Sequence, residues 1–247
     1  MINPQLFRLI LRQAKKKKLG HVLCLGRQRI DISQQRFIDS CVAESIATPS
    51  DLPNQIDDIF LFNFLGARSL QSMDVNSNEG AEIIHNLNLP VKKSLHGRFD
   101  TIVDGGTFDH LFDLKTAFAN INKLLKVGGR VIQWNAASNY TGLCYLQFSP
   151  DIFWDFYKSN GYSVQSCNLL LSKLEKADEK TEVYKWTGIN KLFIQNLPAV
   201  IYIEAKKTSK LGKMVLPIQS FYRGSTANFG KKYTEIKESF VYVETLD

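Results

Sequence analysis

The segment 99–110 constrains the fold of this chain more than any other part of the sequence. It reads Phe-Asp-Thr-Ile-Val-Asp-Gly-Gly-Thr-Phe-Asp-His, an apolar run followed by an acidic residue, two glycines and several polar groups. Such a run, bounded by glycine, predicts a buried strand that ends in a tight turn. Residues 124–132 then predict a helix end, a Gly-Gly turn and a further strand. Two strands joined by a helix are typical of α/β domains.

The rest of the chain continues this alternation. The clearest helix covers 113–126, where apolar residues recur at helical spacing and Asp113 can cap the start. Other helices are predicted near 6–14, 33–46, 56–65 and 149–161, and strands at 22–25, 69–73, 83–84, 99–103, 130–134, 162–171 and 199–205. This pattern predicts a doubly wound, Rossmann-like α/β sheet with helices on both faces.

The length of 247 residues fits one large domain, with or without appendages. We predict a domain over 1–205 and a basic extension over 206–247, which could pack on the domain, mediate a homodimer or stay mobile. Within the domain we predict an N-terminal helix (1–20), a helical insertion (31–66) and a long connection (172–197). A connection of that length favours a functional loop or lid.

Composition narrows the class of protein. No apolar run approaches the roughly 18 residues of a membrane-spanning helix, and no secretory signal is visible. We therefore expect a cytoplasmic location. The four cysteines form no C-x-x-C pair, so we expect reduced thiols and no metal site. The net charge of +7 is concentrated at the two ends of the chain. Nucleic acid or anionic lipid could meet these ends, although a solvated helix end also explains 15–18.

In an open α/β sheet, ligands bind beyond the carboxyl ends of the strands. Glycines or polar residues follow five of the predicted strands, at 26–28, 74–75, 85–88, 104–106 and from 135 onward. These residues converge on one edge of the predicted sheet. The sequence therefore predicts a ligand site there.

Segments 99–110 and 124–132 together resemble motif IV and strand five of the class I S-adenosylmethionine (SAM)-dependent methyltransferases. The resemblance extends over about 20–205, as separate motifs. The first turn, Leu25-Gly-Arg-Gln28, has one glycine where that family usually has G-x-G. This turn, 73–81 and 147–150 are also similar to bacterial methyltransferase-like proteins linked to surface-polysaccharide genes. The resemblance implies a seven-stranded sheet, its last strand antiparallel, and SAM as cofactor.

The resemblance also implies roles for particular residues. The first turn would lie against the methionine part of SAM, the next residues would bind ribose and adenine, and motif IV would lie near the sulfonium. The residues implied are, in that order, Gly26, Arg27 and Gln28; Asp74 and Val75; Asn86 and Leu87; and Asp104 and Gly105. A solvated turn aspartate and turn-forming asparagines are the alternatives at the second and third strand ends.

Asp109 and His110, just beyond motif IV, are the candidate catalytic residues. An oxygen acceptor loses a proton as the methyl group transfers, and histidine titrates near neutral pH, so His110 could be the general base. It could instead order the loop or cap the helix at 113. Acceptor contacts are expected from 138–150 and 172–197, at Asn139, Tyr140, Tyr145, Gln147, Tyr184 and Trp186.

The resemblance therefore implies a SAM-dependent methyltransferase acting on a small molecule or glycan, at oxygen. A catalytically silent methyltransferase-like module is the main alternative, since the first turn is poor in glycine. A nicotinamide dehydrogenase is disfavoured because the G-x-G-x-x-G fingerprint is missing. The net positive charge keeps a nucleic-acid methyltransferase as a further alternative. Against it, Asp104-Gly-Gly-Thr107 differs from the Pro-Pro signature of amino-methylating enzymes.

Overall fold

The computed structural model describes residues 1–172, 180–186, 197–210, 212–219, 222 and 240–246. The α-helices in these residues are α1 (Pro4–Lys16), α2 (Gln34–Ala43), α3 (Asp58–Phe64), α4 (Leu114–Leu124) and α5 (Pro150–Ser159). The strands are β1 (Gly20–Leu25), β2 (Ala67–Asp74), β3 (Ile83–Ile84), β4 (Phe99–Gly105), β5 (Leu125–Ser138), β6 (Tyr162–Ser172), β7 (Thr181–Trp186), β8 (Ala199–Lys207) and β9 (Phe240–Leu246).

All of these strands belong to one mixed sheet, in the order β3-β2-β1-β4-β5-β8-β6-β7-β9. Strands β1 to β5 pair in parallel. Strand β8 lies antiparallel between β5 and β6, and β7 lies antiparallel between β6 and β9. The carboxyl ends of β1, β2, β4 and β5 therefore meet at one edge, which we call the carboxyl edge.

Two hydrophobic clusters cover the two faces of the sheet. Successive side chains of a strand point to opposite faces, and β1 shows this clearly. Leu23 and Leu25 belong to the cluster that includes α4 and α5, whereas Val22 and Cys24 belong to the cluster with α1, α2 and α3. The predicted doubly wound α/β arrangement, with helices on both faces, is confirmed.

Local signals explain where the helices begin. The Asp113 side chain accepts a hydrogen bond from the Thr116 amide at 3.0 Å and so caps α4. Asp57 caps α3 in the same way, through the Phe60 amide at 2.7 Å. In the described residues no helix is long and apolar enough to cross a membrane.

The prediction of seven strands was wrong, because the described residues contain nine. Strand β7 lies in the predicted connection 172–197, and β9 lies in the predicted extension 206–247. The remainder of both segments includes 173–179, 187–196 and 223–239, which lie outside the described residues. The strand predicted at 199–205 is antiparallel, as expected, but it is not the last one. Strand β9 follows it in the chain, and β7 and β9 extend the sheet beyond β6.

Candidate functional site

A cleft of about 500 Å³ opens at the carboxyl edge, above β1, β2 and β4. The structure brings most of the predicted cofactor residues together there, along with one of the two candidate catalytic residues. Those that line the cleft are Gly26, Arg27, Gln28, Asp74, Val75, Asn86, Leu87, Gly105 and His110. Asp104 and Asp109 are placed elsewhere, as described below.

The turn after β1 has the conformation that only glycine adopts readily. Gly26 has φ +70°, and its amide donates a hydrogen bond of 2.8 Å to the Met73 carbonyl. A Cβ atom here would lie 3.3 Å from Oγ1 of Thr107. The Thr107 hydroxyl donates to the Leu25 carbonyl at 2.7 Å, so the turns after β1 and β4 are joined.

Gln28 takes up space next to this turn. Its Nε2 donates to the carbonyls of Leu25 and Gly26, at 3.2 and 3.1 Å, and its Oε1 is buried without a hydrogen-bond partner. A Cβ atom at Gly105 would overlap the Gln28 oxygen and lie 2.6 Å from Cζ2 of Trp134. Gly105 is therefore required by the close approach of two side chains.

Arg27 is held by carboxylates. Its Nε lies 2.6 Å from one oxygen of Asp58, its Nη2 donates to the other at 3.1 Å, and its Nη1 lies 3.5 Å from Glu82. The guanidinium thus ties the first residue of α3 to the turn after β1. Its side chain anchors the wall of the cleft.

Asp74 ends β2, and its Oδ1 accepts a hydrogen bond from the Val75 amide at 2.6 Å. Val75 itself is 61% exposed at the mouth of the cleft. Asn86 Oδ1 accepts from the amide and the side chain of Asn88, each at 3.0 Å, which is the turn-forming arrangement that the sequence also allows.

Asn120 of α4 supports this part of the cleft and was not singled out from the sequence. The side chain is fully buried, and its Nδ2 donates to the carbonyls of Leu87 and Leu89, at 3.1 and 2.8 Å. Its Oδ1 accepts from the Val91 amide at 3.0 Å. The sequence signal for this role is an asparagine within the apolar stripe of a predicted helix. A buried carboxamide there needs hydrogen-bond partners, so it indicates a structural role.

Asp104 is fully buried and does not line the cleft. Gln133 Nε2 donates to its Oδ2 and the Thr107 amide donates to its Oδ1, both at 2.8 Å, while the Tyr157 hydroxyl donates to Gln133. Burial raises the pKa of Asp104 to about 6, against the lowering effect of these hydrogen bonds. Asp104 therefore holds the turn after β4 from beneath.

A second cavity of about 240 Å³ adjoins the cleft, and Gly105 and Gly106 line both. It lies over the ends of β5, β6 and β8. Its other lining residues are Met1, Asn3, Gln5, Leu6, Asp109, Trp134, Asn135, Ala136, Tyr140, Leu170, Ser172, Thr181 and Val200. We call this space the second cavity.

Asp109 and His110 lie on opposite sides of the boundary between the two spaces. Asp109 lines the second cavity, where its Oδ2 accepts from the Ala136 amide at 3.1 Å and its Oδ1 has no hydrogen-bond partner. His110 lines the cleft, with a side chain that is 59% exposed and an Nε2 that lies 3.8 Å from Asp109 Oδ1. Burial raises the pKa of Asp109.

Of the residues expected to contact an acceptor, Tyr140 lines the second cavity, and the Gln147 side chain accepts from its amide at 3.0 Å. Tyr145 is 77% exposed. Trp186 is buried, with its ring centroid 5.0 Å from that of Trp154, so it contributes to packing and lines neither cavity. The other two, Asn139 and Tyr184, also line neither.

Asn135 is a wall residue of the second cavity that received no role from the sequence beyond its place at a strand end. It is 1% exposed, and its side chain hydrogen-bonds the buried Asp104, which lowers the pKa of that carboxyl. Among the described residues, no group of three or more His, Cys, Asp or Glu side chains could hold a metal ion.

No family model matches the chain, and no curated protein matches it. Solved structures match at low identity. TehB from Haemophilus influenzae is 15% identical, with a TM-score of 0.44, over 80% of this chain but only 61% of that chain. A 1,6-didemethyltoxoflavin-N1-methyltransferase from Burkholderia thailandensis, with bound S-adenosylhomocysteine, is 14% identical, with a TM-score of 0.45, over 83% and 78%. A SAM-dependent methyltransferase from Thermotoga maritima is 15% identical, with a TM-score of 0.41, over 83% and 90%. Similarity at this level assigns no function to this chain.

Proposed function

We propose that this chain is a SAM-dependent methyltransferase that acts on a small-molecule or glycan acceptor, at oxygen. One observation carries the proposal. Two cavities at the carboxyl edge adjoin, and Gly105 and Gly106 line both, so a cofactor in one and an acceptor in the other would lie next to each other with no side chain from these two positions between them. Methyl transfer needs such an arrangement, because donor and acceptor must be held in line at close range.

The residues of the cleft fit SAM. The second carboxylate oxygen of Asp74 can accept from ribose hydroxyls, and Asn86 and Leu87 are placed to contact the adenine. The buried, unpartnered Oε1 of Gln28 can accept from the ammonium of the methionine part. Arg27 would contribute its backbone, since its guanidinium is bound to carboxylates. Bound SAM supplies an electrophilic methyl group.

The chain's own residues would position the acceptor and receive its proton. His110 Nε2, at the mouth of the cleft, would take the proton from an acceptor hydroxyl. The carboxylate of Asp109, 3.8 Å away, would stabilise the imidazolium that forms. Asp104 would act through the turn that it holds, since its own side chain does not line the cleft.

Calorimetric titration with S-adenosylhomocysteine tests the cofactor, with NADH as the competing ligand. We expect binding of the first alone. Asp74→Ala should weaken it about 10- to 100-fold, since hydrogen bonds to a charged group contribute about 1.5 to 3 kcal/mol. Asp51→Ala, at an exposed loop residue, is the matched control and should leave the affinity unchanged. Unchanged affinity in Asp74→Ala would rule out the ribose role, and no heat from folded protein would favour the silent module.

His110→Ala tests the proton transfer separately. We expect methyl transfer from labelled SAM to an accepted substrate to fall by roughly 10² to 10⁴, which is the usual contribution of a general base. Affinity for S-adenosylhomocysteine should stay within error, because the imidazole only borders the cleft. His96→Ala, at an exposed position lining neither cavity, is the control. Full turnover in His110→Ala would leave His110 with only a role in ordering the loop.

A further inference from the structure

The edge of the sheet opposite the carboxyl edge collects exposed positive charge. We call it the amino edge, because β1, β2, β4 and β5 begin there and the antiparallel β8 ends there. All but one of the cations that we consider at this edge are exposed, and Lys126 is half-buried. These amino-edge cations are Lys17, Lys18, Arg68, Arg98, Lys123, Lys126 and Lys206.

Three of the amino-edge cations line a groove of about 550 Å³. Lys17, Lys18 and Arg68 share its wall with Asp100. The carboxylate of Asp100 is already bound, since its Oδ1 accepts from Lys126 Nζ at 2.8 Å and its Oδ2 accepts from a backbone amide at 2.9 Å. The other amino-edge cations make no ion pair within the described residues.

Helix dipoles explain only part of this arrangement. Cations after α1 and in the last turn of α4 complement the partial negative charge of a helix end. Arg68, Arg98 and Lys206, however, lie in strands or directly before one. The buried carboxylate of Glu204 on β8 does not offset them, because it is paired with Arg130 at 3.8 Å.

The amino-edge cations form a row across the sheet. Neighbouring strands lie about 4.8 Å apart, so the row from β2 to β8 spans roughly 19 Å. Like charges in such a row repel each other, and an extended anionic surface would neutralise them together.

Exposed aliphatic side chains accompany these cations. Val127 directly follows Lys126 and is 55% exposed, whereas Val215 and Leu216 are 49% and 57% exposed. Val215 lies at the same edge, because its backbone exchanges two hydrogen bonds, of 2.8 and 2.9 Å, with the side chain of Asn160 between α5 and β6. The edge therefore combines positive charge with apolar surface.

The described residues of this edge include no exposed Phe, Tyr or Trp, on which proteins that bind single-stranded nucleic acid stack bases. The two most exposed aromatic residues of those described, Phe112 and Tyr145, lie at the carboxyl edge, where their amides bond to Asn88 and Asp109. Cations with interspersed aliphatic side chains fit a lipid surface, where the former meet headgroup phosphates and the latter meet acyl chains.

We propose that the amino edge is a docking surface for a bilayer that contains anionic lipids. The amino-edge cations bind headgroup phosphates, and Val127, Val215 and Leu216 enter the interface. The cleft and the second cavity lie at the other end of the strands, so they face away from the bilayer and stay open to ligands. Docking requires neither a cofactor nor an acceptor, so it does not depend on the function proposed above.

Co-sedimentation of the full chain with vesicles tests this surface. We expect binding to phosphatidylcholine vesicles that contain about 30% phosphatidylglycerol, and no binding to vesicles of phosphatidylcholine alone. Raising sodium chloride from about 0.1 M to about 0.5 M should weaken the binding at least about tenfold, because salt screens exposed charges.

Arg68→Gln, Arg98→Gln and Lys123→Gln in one chain should weaken binding to the anionic vesicles. Each cation near such a surface changes the affinity by about fivefold, so we expect a loss of at least about 30-fold for the three together. The three side chains are exposed, so the melting temperature should stay within about 2 °C. Each single variant should lose about fivefold, which keeps the test decisive if the triple variant does not fold.

Arg29→Gln, Lys115→Gln and Lys185→Gln in one chain are the matched control. They remove the same charge from exposed positions away from the amino edge, after β1, at the start of α4 and on β7. We expect a loss of less than about threefold, because exposed charges at a distance are screened. Equal losses in the two triple variants would assign the binding to net charge and overturn the proposal.

Val127→Ser separates lipid from nucleic acid. Loss of aliphatic surface should lower affinity for the anionic vesicles about threefold or more, and it should leave any binding to a DNA duplex unchanged. Tighter binding of the chain to a DNA duplex than to the anionic vesicles would assign the amino edge to nucleic acid instead. Absence of vesicle binding by folded protein, or equal binding to neutral and anionic vesicles, would also overturn the proposal. Failure of S-adenosylhomocysteine to bind would contradict the methyltransferase proposal alone.

Discussion

Asp104 shows how a single residue can position a site at a cost to stability. Its pKa is about 6 in the folded chain, mainly because of burial, against 3.8 for an ordinary aspartate. Between these values the folded chain keeps a proton that the unfolded chain has released, so this group's contribution to stability falls as pH rises. Above pH 6 the cost levels off at about 3 kcal/mol, from about two pKa units at about 1.4 kcal/mol each.

Asp104→Asn should remove this cost. At a pH of about 7.5 we expect a larger free energy of unfolding than in the natural chain, and at about 4.5 most of the difference should vanish. Urea unfolding at both pH values measures it, with Asp51→Asn at an exposed position as the control. An equal loss of stability at both pH values would show that the hydrogen bonds from Gln133 and Thr107 outweigh the effect of burial.

At the scale of elements, Arg12 joins three parts of the fold. Its guanidinium is paired with both carboxylate oxygens of Glu244 on β9, and it also contacts Glu44, just after α2, at 2.8 Å. Arg8 makes a second ion pair with Glu44 at 3.2 Å, so the link between α1 and α2 does not depend on Arg12 alone. Among the described ion pairs, Arg12 makes the one between α1 and β9, and Leu246 of β9 also belongs to the hydrophobic cluster that contains α1.

Arg12→Met should therefore loosen β9 selectively. An ion pair that is partly exposed contributes about 1 kcal/mol or less, so we expect amide hydrogen exchange in 241–246 to accelerate up to about fivefold. Exchange in α2 should change little, because Arg8 still holds Glu44. Arg68→Met, at an exposed position on β2, is the control. Equal acceleration throughout α1, α2 and β9 would point to a general loss of stability instead.

At the scale of the whole molecule, the sequence predicted those elements and site residues that depend on local patterns. The apolar spacing of α4 and the caps at its start were visible, because periodicity and capping involve residues a few positions apart. The residues around the cleft were found for a related reason. They directly follow strands, and parallel strands bring their carboxyl ends together.

What the sequence did not reveal depends on distant partners. Strand β9 pairs with β7 across more than fifty residues, and neither segment shows which partner it will find. The second cavity needs α1, β5, β6 and β8 to meet, so its lining was not predictable from the strand ends alone. The burial of Asp104, by contrast, follows from strand alternation, since Gly105 faces the cavities and the preceding side chain points to the other face.

The side chain of Gln28 lowers the entropic cost of binding a ligand at the turn after β1. Its carboxamide donates to two carbonyls of that turn and so restrains the backbone. A run of glycines at the same place would leave the backbone free to sample many conformations. Loop ordering is one of the entropic costs of association. In this chain the Gln28 side chain already holds the turn without a ligand, so less of that cost remains to be met on binding.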